Sequence, residues 1–229
     1  KNGKEMGLLS VELLGENDWP VVKAQGLTVA VANGPSGIVD GWNKPADHDK
    51  LVKESERLIP LVAAAGIPNM IVFSGNRRSI SDAEGLDNCA KGVKRIMALA
   101  EQQNVNVIME LLNSKVDHKD YQCDHTAWGV ELVKRVGSPR FKLLYDIYHM
   151  QIMEGDVIRT IRNNKDYLAH FHTGGVPGRH ELDATQELNW AAVCTAIADL
   201  IFQGYVAHEF VPTRDPLTSL REAVALCDV

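Results

Sequence analysis

Short apolar runs alternate along the chain with longer stretches whose apolar residues recur every three to four positions. The runs are residues 10–14, 27–32, 69–73, 105–112, 141–148, 168–173 and 205–211, rich in Val, Ile and Leu. Near-continuous apolar runs of this length suit strands covered on both faces, as in a parallel sheet. Between them the periodicity predicts helices. Residues 47–65 place Leu51, Leu58, Leu61 and Val62 on one face, and residues 86–103 place Val93, Ile96, Met97 and Ala100 together. Residues 126–136 and 157–163 form shorter candidates, 189–203 carry Val193, Ile197, Leu200 and Ile201, and 216–227 close the chain. Gly66 and Gly204 stand where left-handed C-terminal caps are expected. Strand and helix alternate throughout, which predicts one α/β domain over residues 1–229.

Two architectures satisfy that alternation: an open doubly wound sheet and a closed (β/α)8 TIM barrel. A dinucleotide-binding sheet carries G-x-G-x-x-G after an early strand, and the chain has no such motif. A barrel predicts polar, chemically useful residues at the C-terminal ends of several strands, and this pattern is present. The chain supplies seven runs, one short of the eight a barrel needs. Residues 1–7 read as the tail of a helix leading into the first run, so the expectation is a barrel whose first strand lies upstream of this sequence. Residues 33–45, rich in Gly, Pro and Asn, predict a long loop over one end of the domain.

Composition narrows the function classes. The 229 residues are 45% hydrophobic and 24% charged, an ordinary globular balance. The net charge of −6 argues against general nucleic-acid binding. No apolar run reaches the roughly 18 residues needed to span a bilayer, so no membrane partner is expected. The four cysteines, Cys89, Cys123, Cys194 and Cys227, follow neither a disulfide nor a zinc spacing and read as isolated thiols. No signal-peptide pattern begins at Lys1; the expected location is cytoplasmic, or outside the cytoplasm if an export signal precedes this segment. Homo-oligomerisation is left open.

The chemistry concentrates at strand ends. Glu110 closes Val-Ile-Met-Glu, and Asp146 closes Leu-Leu-Tyr-Asp, with His149 three residues later. His170 and His172 alternate on one side of their strand, and Glu209 ends the last run. Singly, each has an ordinary structural explanation, such as a salt bridge or a hydrogen-bonded core histidine. Together they put Glu, Asp, His and Glu on successive strand ends, which a parallel barrel gathers into one ring. A divalent cation resolves their mutual repulsion, and three carboxylates with one imidazole suit Mn²⁺ or Mg²⁺, with Co²⁺ also acceptable. Such a cation polarises a carbonyl. A flanking glutamate can then remove the proton from the neighbouring carbon, and a second proton transfer completes an isomerisation or an epimerisation.

The stretch Tyr145-Asp146-Ile147-Tyr148-His149-Met150-Gln151, followed by Glu154-Gly155-Asp156, resembles hydroxypyruvate isomerase and its relatives. So do Gly178-Arg179-His180-Glu181-Leu182-Asp183 and the closing His208-Glu209-Phe210. These belong to the xylose isomerase-like barrel superfamily, which also holds ketose 3-epimerases. The resemblance runs from about Ser10 to the C-terminus. It implies Glu110, Asp146, His172 and Glu209 as metal ligands and Glu110 and Glu209 as the acid/base pair. It further implies His149 and Arg179 at the substrate, with Glu181 beside them holding the loop. Two positions depart from either subgroup: hydroxypyruvate isomerases often carry Gln where this chain has His172, and ketose epimerases carry a second glutamate where it has Val116. The polar segment 113–125 is expected to cover the substrate, with Lys115, His118 or Lys119 available to a carboxylate. The expected substrate is a small sugar or hydroxy-keto acid, with hydroxypyruvate to tartronate semialdehyde the named reaction and a ketose 3-epimerase the runner-up. A barrel endonuclease would need more His and Asp at strand ends, and a non-catalytic sugar-binding barrel would have lost one of the two glutamates.

Overall fold

The computed structural model of the chain describes residues 2–229. Its elements run α1 (Asn2–Glu5), β1 (Ser10–Val11), α2 (Trp19–Ala24), β2 (Thr28–Val29), β3 (Val31–Ala32), α3 (His48–Ala64), β4 (Asn69–Val72) and α4 (Asp82–Gln102). They continue with β5 (Asn106–Glu110), α5 (Thr126–Val136), β6 (Phe141–Asp146), α6 (Ile147–Met153), α7 (Val157–Asn164), β7 (Leu168–Thr173), α8 (Trp190–Ala198), β8 (Val206–His208) and α9 (Pro216–Cys227). The helix expected over residues 1–7 is present as α1; Lys1 itself lies outside the described residues.

Every strand pairing is parallel. β1 pairs with β2, and β3 through β8 pair in chain order. β2 and β3 are one extended run broken at Ala30, and β1 follows both: Ala30 N donates to Val11 O at 2.9 Å and Leu13 N to Val31 O at 3.0 Å. The result is a curled sheet of seven consecutive strand runs, a TIM-barrel wall that is open between β8 and β1. Among the described residues neither β1 nor β8 has a strand neighbour on that side.

Two apolar layers follow from the period-2 alternation of strand side chains. Val31, Ile71, Ile108 and Leu144 fill the inside of the curl, joined by Ala30 at the break between β2 and β3. The opposite set, including Met70, Val107, Met109, Leu143 and Phe171, packs outward against the helices. Helix faces match this outer layer. α4 buries Val93, Ile96, Met97 and Ala100 as the periodicity predicts, and Ser81 caps its start by accepting from Glu84 N at 3.1 Å.

Several expectations are corrected in detail. α3 buries Leu51, Ser55, Leu58, Ile59 and Val62, whereas Leu61 is 41% exposed because it sits roughly a quarter-turn off that face. The run 141–148 stops at Asp146. There the carboxylate accepts from His149 N at 3.0 Å and starts α6, so Tyr148 and His149 are helical. The helix expected to reach residue 203 ends at Ala198, and Ile201 takes the left-handed backbone (φ 55°) with its side chain exposed. Gly66 does adopt the left-handed cap (φ 73°). Gly204 does not; it is needed for close approach, since a Cβ there would lie 2.8 Å from the Ala169 carbonyl oxygen. The cysteines are free, as expected, yet Cys194 on α8 and Cys227 on α9 are not isolated, for the two thiols contact each other.

Candidate metal centre and substrate cavity

Alternation along four adjacent strands builds the centre. Glu110 shares a strand face with Ile108 and Asp146 with Leu144, so each carboxylate continues an inward-pointing apolar row, and His172 shares its inward face with His170. The register sets Glu110 one strand from Leu144 and Asp146 beside His172. Glu209 follows β8 directly, and its backbone N is held by Thr173 O at 3.0 Å. One donor atom from each of Glu110, Asp146, His172 and Glu209 falls within 4.8 Å of the others. The four sit at the C-terminal end of the sheet, where barrels place their chemistry.

His172 Nδ1 lies 2.6 Å from Glu209 Oε2, 3.2 Å from Glu110 Oε1 and 3.7 Å from Asp146 Oδ2. None of these contacts is aligned as a hydrogen bond, so this fully buried nitrogen has no hydrogen-bond partner. A buried polar atom is costly to leave so. A nitrogen facing three carboxylate oxygens around a common point is the donor set of a hard-to-borderline dication. The residues therefore fit a divalent metal.

Protein cations already offset part of the charge. Arg179 Nη2 contacts Asp146 Oδ2 at 2.8 Å and Glu209 Oε2 at 2.6 Å, and its Nε donates to Glu209 O at 3.0 Å. Burial raises the Glu110 carboxyl above its ordinary range, more than the neighbouring imidazole lowers it. Burial works the same way on Asp146 and Glu209, but there His149 and Arg179, or His172 and Arg179, prevail and hold both carboxyls low. Burial also pushes the His149 imidazole down to about 4.

A cavity of about 450 Å³ opens onto the centre, lined in part by Asn33, Phe73, Glu110, His118, His149, Arg179 and Glu209. His149 is fixed on both sides. The buried Asn113 accepts Val116 N (3.0 Å) and Asp117 N (2.9 Å) through Oδ1, so its amide NH₂ faces Asp117 Oδ2 and His149 Nδ1, each at 2.6 Å. Nδ1 must then accept, and the ring's proton sits on Nε2, 2.8 Å from Arg179 Nη1. Arg179 holds a left-handed backbone (φ 58°) and stacks its guanidinium over Tyr148, 4.8 Å from the ring centre. Non-glycine residues rarely adopt that backbone unless their surroundings enforce it.

Glu181 stands apart from the cavity. Its buried carboxylate accepts Thr213 N (2.8 Å), Thr213 Oγ1 (2.9 Å) and Ser219 Oγ (2.9 Å), fastening the Arg179 loop to the start of α9. Glu154, from the same quoted motifs, caps α5 by accepting Thr126 N at 2.8 Å and Thr126 Oγ1 at 2.6 Å. Of the three cations proposed in segment 113–125, His118 lines the cavity, while Lys115 turns away to the carbonyls of Ile152 and Met153. Lys119 is not among the lining residues. Asp117 and Asn113 were not foreseen, because only the folded loop brings them to His149. Glu12 was missed despite a visible signal: it stands before a Leu-Leu pair in the first apolar run just as Glu110 does in the fourth.

Comparison with known proteins agrees with this architecture. A putative hydroxypyruvate isomerase of Homo sapiens is 25% identical over 205 residues, covering 85% of this chain and 74% of that protein. The D-psicose 3-epimerase of Ruminiclostridium cellulolyticum is 30% identical over 197 residues, covering 80% of this chain and 64% of the epimerase. The chain spans about half to three quarters of the length of the curated relatives it matches first. A crystal structure described as AP endonuclease, family 2, from Brucella melitensis superposes with a TM-score of 0.88 at 23% identity, covering 95% of this chain and 88% of that one. Likeness at that identity concerns the fold alone. The family model for the xylose isomerase-like TIM barrel matches residues 20–228, and the chain belongs to that family.

Proposed function

We propose that this chain is a divalent-metal-dependent isomerase of a small α-hydroxycarbonyl compound, with interconversion of hydroxypyruvate and tartronate semialdehyde as the leading reaction. The observation that carries the reading is the pairing of Glu110 and Glu209 around the unpartnered His172 Nδ1, at the floor of a cavity. Glu110, Asp146, His172 and Glu209 would hold Mn²⁺, Mg²⁺ or Co²⁺, and the bound cation would supply Lewis-acid polarisation of the substrate carbonyl.

The isomerisation moves one proton from the hydroxyl-bearing carbon to the carbonyl carbon and one from the hydroxyl oxygen to the carbonyl oxygen. Glu110 and Glu209 both line the cavity and are suited to carry the carbon-bound proton, one removing it and the other returning a proton to the neighbouring carbon. His149 Nε2–H and Arg179 Nη1 present converging donors to the oxygen that gains negative charge, and Arg179 also suits a substrate carboxylate.

A ketose 3-epimerase is the second reading. It is favoured by His172 at the position where the epimerases carry histidine, by the epimerase relative at 30% identity, and by a cavity larger than a three-carbon acid fills. Proton NMR in D₂O separates these readings, with Mn²⁺ removed before detection or with Mg²⁺ throughout. Hydroxypyruvate, tagatose, fructose, psicose and xylulose would be supplied in turn. The expected result is metal-dependent deuterium at the carbon beside one compound's carbonyl, abolished in Glu110→Gln and Glu209→Gln variants that remain folded. Full exchange in either variant would overturn the acid/base assignment, and exchange at C3 of a ketose alone would select the epimerase.

A further inference from the structure

His172 carries two ring nitrogens with opposite surroundings. Nδ1 faces Glu110, Asp146 and Glu209, whereas Nε2 lies 2.6 Å from Oε1 of Glu12, at the end of the first strand run. The other oxygen of Glu12 lies 2.8 Å from Nε2 of His170, one alternation earlier on β7. Both histidines are fully buried and Glu12 is 12% exposed at its side chain. The two rings stand edge to face, 5.1 Å apart. These contacts are close but off-axis, and Glu12 Oε2, His170 Nε2 and both nitrogens of His172 have no aligned partner. The reaction described above uses neither Glu12 nor His170.

A neutral imidazole has one proton to place. Three carboxylates on the Nδ1 side attract it there, which would block the lone pair a cation needs. An acceptor on the far side opposes that preference before any cation arrives. We propose that Glu12 is a positioning residue that draws the His172 proton to Nε2 and so frees Nδ1 as the metal ligand, with His170 holding the second oxygen of Glu12 in place. A ligating histidine anchored by a carboxylate on its other nitrogen is a recurrent way of fixing tautomer and ring orientation, and loss of such an anchor weakens metal binding by about 10–100-fold. The role rests on the metal reading of the Glu110 cluster.

Titration calorimetry with Mn²⁺ on the metal-free protein tests it, comparing wild type, Glu12→Ala, Glu12→Gln and His172→Gln. Wild type should bind one Mn²⁺ per chain. Glu12→Ala should bind about 10–100-fold more weakly, with Glu12→Gln between, since its amide oxygen still accepts from Nε2–H. In a His172→Gln background, which has no ring proton to direct, Glu12→Ala should cost much less; a merely structural Glu12 would cost the same in both. In the Zn²⁺-loaded protein, ¹H–¹⁵N spectra should show His172 protonated at Nε2. Unchanged affinity in folded Glu12→Ala, or a His172 protonated at Nδ1, would overturn the positioning role alone. Two Mn²⁺ per wild-type chain and one in Glu12→Ala would overturn it by showing that Glu12, His170 and His172 bind a cation themselves. No Mn²⁺ on wild type would overturn the metal reading beneath it.

Discussion

Arg179 Nη1 and His149 Nε2 lie 2.8 Å apart, and both carry protons. The conflict originates at Asn113, whose oxygen is fully used by Val116 N and Asp117 N, leaving only N–H to offer His149 Nδ1. Two donors crowded together in a buried cleft can both turn to one oxygen anion placed beside them. Replacing Arg179 by Ala, or His149 by Phe, should lower kcat/KM on the true substrate by about 10²–10³. Arg179→Lys should recover little, because a point charge cannot bridge two carboxylates and a ligand oxygen at once. Steady-state kinetics on the folded variants checks this; near-wild-type values would remove both residues from the substrate.

Metal should be a stability ligand as well as a chemical one. A cation that binds only the folded centre adds about 2.7 kcal/mol when present at 100 times its Kd. Thermal melts with and without EDTA should therefore differ by several degrees, and that difference should vanish in Asp146→Asn. Asp146 is the ligand for this test because it is fully buried and deepest in the ion-pair network.

Glu181 predicts an acid-side weakness. Burial opposes its charge, but the hydrogen bonds from Thr213 and Ser219 prevail and lower its pKa to about 2. The folded value is depressed, so the stabilisation is fully present above the unfolded value near 4.5 and is lost as pH falls towards 2. Glu181→Gln should lower stability near neutral pH by about 2 kcal/mol and flatten the decline between pH 4.5 and 2. Denaturant melts across that window test it, and parallel declines in variant and wild type would refute it.

Gly34 has no room for a side chain. A Cβ there would be driven into the Ile71 carbonyl oxygen of β4. Backbone cannot yield as a flexible side chain can, so Gly34→Ala should destabilise by about 3 kcal/mol or more. It should also disturb Asn33, which lines the cavity. Gly37→Ala in the same loop meets nothing within 4 Å and should be close to neutral, which makes it the control.

Seven strand runs and the four clustered strand-end side chains were readable because burial on both faces writes strands as unbroken apolar runs, and a polar residue ending such a run is conspicuous. Lengths were less readable. Asp146 ends its strand by capping α6 through the amide of His149, and a run of apolar letters does not record that hydrogen bond. Leu61 and Ile201 look like core residues by type, yet helix phase and a left-handed backbone put them outside. The surroundings of His149 were not readable at all, since Asn113 and Asp117 reach it only through the fold of their loop. Glu12 was legible but unweighed, standing in a run too short to look like part of a site.

The first and last strand runs of the chain meet at one side chain. Glu12 follows β1 and Glu209 follows β8, and the two carboxylates bear on opposite nitrogens of His172. A shift of that single ring is therefore felt at both ends of the chain's strand order, which makes its packing on β7 the point that sets how far apart the two carboxylates stand.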